Sequence, residues 1–127
     1  MRMIDIISPI ETMMFGKHKG KTFWTLGPNY FNWLSSQDIS PATVNTIEAA
    51  RQLYDNEGCF AVFKKNKYGE KNTILVIIVS SRKLAEARLE PDDYTWHWFI
   101  YNIQSTEKKY RDNTFPDIDD YQTKPKY

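Results

Sequence analysis

Hydrophobic and polar positions change period near the middle of the chain, and the change divides it into two kinds of structure. In the first half the apolar positions follow helical spacing. Val44, Ile47, Ala50, Arg51 and Tyr54 repeat every three to four residues and give a half-apolar face. Ser40-Pro41 supplies the start, with Ser40 as N-cap and Pro41 as first helical residue, and Gly58 supplies the stop. A shorter helix is predicted over Asn29 to Ser36, entered through Gly27-Pro28. Ahead of it, Thr12 to Phe15 and Lys21 to Trp24 read as two short strands joined by a turn at Gly16 to Gly20.

After Gly58 the period falls to two. Cys59 to Phe63 reads as a strand, followed by a polar turn at Asn66 to Glu70. Thr73 to Val79 is β-branched and apolar on both faces, which predicts the central strand. Ser80 to Arg88 fits a short helix or a crossing loop. Tyr94 to Ile103 alternates strictly: Tyr94, Trp96, Trp98 and Ile100 fall on one face, and Thr95, His97, Phe99 and Tyr101 on the other. Beyond Gln104 the chain becomes polar, acidic and proline-containing, as a tail does. The expected architecture is α+β. An N-terminal β-hairpin and two helices pack on an antiparallel sheet of about three strands from the second half. One domain is expected over 1–103, made of a hairpin–helix unit (12–55) and a β-rich unit (59–103), with a polar acidic tail at 104–127.

Composition refines this picture. The 127 residues carry 17 basic and 16 acidic side chains, a net charge of +1, so total charge does not select a partner. Its distribution does more. No acid lies between Glu11 and Asp38, while Lys17, Lys19 and Lys21 fall in that interval. Lys64, Lys65, Lys67 and Lys71 form a second basic group, and Asp112, Asp117, Asp119 and Asp120 form an acidic one. Aromatic residues make up 15% of the chain, enough for a ring-packed core with rings to spare. The single cysteine, Cys59, excludes an intrachain disulfide and fits a reducing compartment. The longest apolar run, Ile74 to Val79, is far short of a membrane span, and the expectation is a soluble cytoplasmic protein.

The chemistry concentrates on the segment Met14 to Thr22 and the rings that follow. Lys17, Lys19 and Lys21 would share one face of an extended strand and meet phosphates. His18 could join them, and Trp24 and Tyr30 are the expected exposed rings for base stacking. Phe15, Trp33 and Leu34 read instead as core. Catalytic alternatives lack support. One cysteine and two distant histidines give no metal-ligand spacing, and neither a metal nor a cofactor is expected. Gly20-Lys21-Thr22 is not a nucleotide loop, because Gly16 precedes Gly20 by four residues rather than five. Ser35, Ser36, Ser80 and Ser81 lack a nucleophile elbow.

The run Phe15-Gly16-Lys17-His18-Lys19-Gly20-Lys21, then Leu26, then Tyr30-Phe31-Asn32-Trp33-Leu34, resembles a small domain with an F-G-K-x-K-G-K core. That domain occurs at the C-terminus of exodeoxyribonuclease X-like proteins, and a similar one stands alone in short bacterial and phage proteins. The resemblance covers about residues 12 to 55. It implies an accessory domain in contact with nucleic acid, and no nuclease activity, since the catalytic D-x-E motif of such exonucleases is absent. The leading expectation is therefore a non-catalytic nucleic-acid-binding accessory protein acting on single-stranded or duplex DNA. The alternative is a phage or mobile-element protein-interaction module that inhibits or modulates a host enzyme. Its aromatic surface would be Trp96, Trp98 and Tyr101, and homodimerisation through the last strand would be open to it.

Overall fold

A computed structural model describes residues 6–14, 18–68 and 72–104. Helix α1 spans Pro28–Ser35 and α2 spans Pro41–Asp55. Strands β1 (Phe60–Asn66) and β2 (Thr73–Val79) follow, then the short helix α3 (Arg82–Glu86) and strand β3 (Trp96–Asn102). The chain is thus an α+β fold. Helices α2 and α3 begin where the sequence provides a side-chain partner for the first free N–H groups, whereas α1 opens on Gly27-Pro28 without one. Ser40 Oγ accepts the Thr43 N–H at 3.1 Å, with Pro41 opening the helix. Ser81 plays the same part for α3, through the Leu84 N–H.

The sheet is antiparallel in the order β2-β1-β3. β1, not β2, is therefore the central strand. The apolar character of Thr73–Val79 has another cause: α2 packs beside it from one side and α3 from the other, so an outer strand is flanked on both faces. β2 and β3 run parallel to each other on either side of β1. The connection between them carries α3 across the sheet, where it touches all three strands. A register shift between Val62 and Phe63 marks a bulge in the β1–β2 pairing.

Strand alternation sorts the sheet into two faces. Ala61 and Phe63 on β1, with Leu75, Ile78, Phe99 and Tyr101, join a core built with Phe23, Trp24, Leu26, Tyr30, Phe31 and Leu34. Residues of both halves of the chain thus share one core. On the opposite face Val62 and Ala85 are fully buried but lie outside that cluster, which places a small second layer under α3.

The N-terminal arms pair sparingly. Thr12 and Thr22 form a single antiparallel bridge, Met13 N–H donates to Lys21 O, and Gly20 N–H to Met13 O. Gly20 has φ of 87°, a conformation that favours glycine. The expected return strand over Lys21 to Trp24 does not form. Phe23–Leu26 coils into one 3-10 turn, with all four side chains buried. The arms instead hold this turn through main-chain bonds, Phe23 N–H to Glu11 O and Trp24 N–H to Pro9 O. The expected tail from 105 onward lies outside the described residues.

The turn places Trp24 against the sheet, where its Nε1–H donates to the Tyr101 hydroxyl at 2.9 Å. Trp24 is fully buried, so a smaller ring there loses packed volume together with this bond. Trp24→Phe is expected to lower stability by about 1–3 kcal/mol. In a double-mutant cycle with Tyr101→Phe by chemical denaturation, the two changes should be clearly non-additive. Strict additivity would show that the bond carries no coupling.

Candidate nucleic-acid interface

The structure separates the residues that the sequence grouped as a site. His18 is 1% exposed and meets the Tyr30 ring edge-on at 4.9 Å. Trp24 and Tyr30 are completely buried. Tyr30 also contacts Phe23 and Trp33, with ring centroids 6.3 and 5.4 Å away. Neither ring is the exposed stacking surface expected of it, and His18 is not an exposed turn histidine. The reason is the 3-10 turn: its coiling carries Phe23 and Trp24 inward, and α1 lays Tyr30 and Trp33 on the same side. Of the hairpin lysines, Lys19 is exposed and Lys21 half-buried, while Lys17 lies outside the described residues.

The aromatic strand divides in the same way. Tyr101 faces the core and bonds Trp24, so it does not belong to an outer aromatic surface. Trp96 and Trp98 alternate onto the opposite face, across from Asn66 and Lys64. There the Lys64 ammonium lies 4.4 Å from the centre of the Trp96 ring and 5.6 Å from that of Trp98. Both tryptophans are partly exposed. Lys65 and Lys67 are exposed, and Lys71 lies outside the described residues. Lys67 N–H donates to Thr95 O, and its Nζ to Asp93 O at 2.6 Å, joining the β1–β2 turn to the segment entering β3. Tyr68 and Tyr94, 61% and 86% exposed, sit on these two connections at the same end of the sheet. An aromatic–basic cluster therefore exists, but on the sheet and not on the glycine turn.

Carboxylates fix this end of the sheet. Asp92 Oδ1 accepts the Trp98 N–H at 2.8 Å, and its Oδ2 accepts from His97 Nδ1 at 2.6 Å. Asp93 Oδ1 accepts the N–H groups of Thr95 and Trp96, each at 2.8 Å. These bonds favour the ionised form. Asp92 is held below the ordinary carboxylate range chiefly by His97 and next by the Trp98 N–H, and Asp93 chiefly by the Trp96 N–H and then that of Thr95. His97 in turn stacks on Phe99, with ring centres 5.7 Å apart. The sequence offered no sign of this clasp, because a loop acid five residues before a strand histidine follows neither period.

Among the described residues no group of three or more His, Cys, Asp or Glu side chains is arranged to hold a metal ion, and no helix is long and apolar enough to cross a membrane. No protein-family model matches the chain, and neither the curated proteins nor the solved structures yield a match.

The clasp has a pH dependence of known sign. A carboxyl whose folded pKa is depressed stabilises the fold above its unfolded value, about 3.9 for aspartate, and that contribution fades as pH falls through the folded value. Acidification below about pH 4 should therefore shift the Trp96 and Trp98 amide resonances together. In Asp92→Asn the Trp98 response should vanish while the Trp96 response, governed by Asp93, remains. An unchanged Trp98 titration in that variant would remove Asp92 from the account.

Proposed function

We propose that the protein is a non-catalytic nucleic-acid-binding accessory protein that engages a single strand across the outer face of its sheet. The observation that carries this reading is Lys64 seated over Trp96 beside Trp98 on a partly exposed sheet face. Tryptophan rings accept any base by stacking, and ammonium groups beside them accept the phosphates between bases. Lys65 pairs with His97 and so alternates onto the other face, which leaves Lys64 as the β1 cation on the outer face, with exposed Lys67 on the following turn and exposed Lys19 on the glycine turn. Flat rings in line along a strand suit unpaired bases better than a duplex, whose bases are already stacked. The likeness of residues 12–55 to an accessory domain of exodeoxyribonuclease X-like proteins points toward the same ligand class. In this reading Trp24, Tyr30 and His18 are the frame behind the surface, not contacts.

The protein-interaction reading keeps one observation in its favour. Ile74 and Val76 on β2 and Leu84 on α3 are 38%, 37% and 52% exposed, more apolar surface than phosphate contact requires.

The two readings part in one titration. Binding of a labelled oligothymidylate, followed by anisotropy, should weaken with salt at a log–log slope near −2, from about −0.7 for each of three phosphate contacts. Trp98→Ala should cost about 1–3 kcal/mol of binding, the usual worth of one stacked base. Charge reversal at Lys64 and Lys67 should flatten the salt dependence, and reversal at Lys65, on the other face, should affect it less. Binding that is absent, or indifferent to all of these changes, would discard the nucleic-acid assignment in favour of a protein partner.

A further inference from the structure

The margin of the sheet opposite the clasp is built differently. β2 is an outer strand, and Thr73–Val79 contains no charged residue and no proline, the usual guards of an exposed edge. β3, at the other margin, has the N–H groups of Trp96 and Trp98 closed by Asp93 and Asp92. On β2 the pairing parity can be read from two bonds. Asn66 N–H donates to Asn72 O, so position 72 points inward toward β1, and positions 73 and 75 point outward. The Thr73 N–H is indeed taken from outside the sheet, by Ile7 O at 3.0 Å. Among the described residues no other backbone bond reaches β2 from that side. The main chain at Ile7 thus already bonds this edge at one end.

Alongside the edge runs a cleft of about 300 Å³ between α2 and β2. Ala42, Thr46 and Ala49, spaced as neighbours on one side of α2, keep the helix wall low, and Leu75 forms part of the sheet wall. Asn45 stands on the rim. Asn72 Oδ1 is a buried acceptor in this lining with no hydrogen-bond partner among the described residues. A buried acceptor left without a donor costs free energy that an incoming N–H would recover.

We infer that the α2–β2 cleft is a binding site for an extended, neutral peptide segment of a partner protein, which adds as a strand to the free edge of β2. The main chain of the peptide continues the pairing begun by Ile7, bonding the outward groups of Leu75 and beyond. Alternate side chains, small to medium and apolar, enter the cleft between Ala49 and Leu75, and a peptide N–H or side-chain amide supplies Asn72 Oδ1. Glu48 is the only ionisable group in the lining, so the site selects against acidic segments. This site is on a different margin from the tryptophan surface and does not rest on the nucleic-acid reading.

The test is selection of random heptapeptides on the full chain, followed by titration of the recovered peptides. Two variants remove the site by different means. Leu75→Pro deletes an outward N–H, a change that edge strands tolerate, and Asn45→Trp fills the cleft from an exposed helix position. Recovered peptides should be neutral with alternating apolar residues, should protect the Leu75 amide from hydrogen exchange, and should bind either variant at least about tenfold more weakly. The thermal midpoint and far-ultraviolet dichroism of Asn45→Trp should match those of the parent chain, which reports that the variant is folded. Failure to recover any peptide, or recovery of peptides that bind Asn45→Trp as well as the parent chain, would overturn the proposal. A dimer by light scattering that Leu75→Pro dissociates would overturn it as well, assigning the edge to a second copy.

Discussion

A three-stranded sheet of seven-residue strands has little stability alone, and everything in this molecule depends on closing its inner face. Phe63, at the middle of the central strand, is the pivot. It stacks on Phe99 at 5.6 Å, meets Tyr101 edge-on at 6.2 Å, and is fully buried beneath the N-terminal rings. The hairpin–helix unit supplies that cover, and the sheet in turn supplies the unit with its floor. The two halves share one core cluster. Using Trp24 and Tyr30 for this closure is what removes them from the solvent.

The same closure decides which surfaces remain for binding. Inward rings on β3 are committed to the core, so only the alternate residues, Trp96 and Trp98, are left outside. Helix α3 covers the outer face at the level of Val62 and stops short of burying both tryptophans, leaving a ring-and-ammonium surface at the far end. The aspartate bonds around residues 92–98 then hold that end in one geometry, so the tryptophans are presented from a fixed strand.

Much of this was legible in the sequence. Ser40-Pro41 and the spacing of Val44, Ile47 and Ala50 give α2 its start and its direction. The alternation of Tyr94 to Tyr101 assigns the faces of β3 correctly and already separates Tyr101 from Trp96 and Trp98. Three features were not legible, each for a physical reason. Phe23-Trp24-Thr25-Leu26 has the composition of a strand, and only main-chain bonds to Pro9 and Glu11 coil it into a turn. Thr73–Val79 looks central because composition records flanking on both faces, not how many neighbours a strand has. Lys64 meets Trp96 across two strands, a contact that depends on register and has no sequence period.

The unequal margins of the sheet carry one more consequence. Fibre-like stacking of identical sheets requires every copy to offer two complementary open sides, one to receive and one to continue. Here Asp92 and Asp93 occupy main-chain donors along one side, and β2 leaves the other side open. Head-to-tail stacking of this chain through β2 and β3 would therefore have to displace the Asp92 and Asp93 bonds. The two margins of the sheet are thus chemically unequal, and every contact through β3 in such a stack would carry that cost.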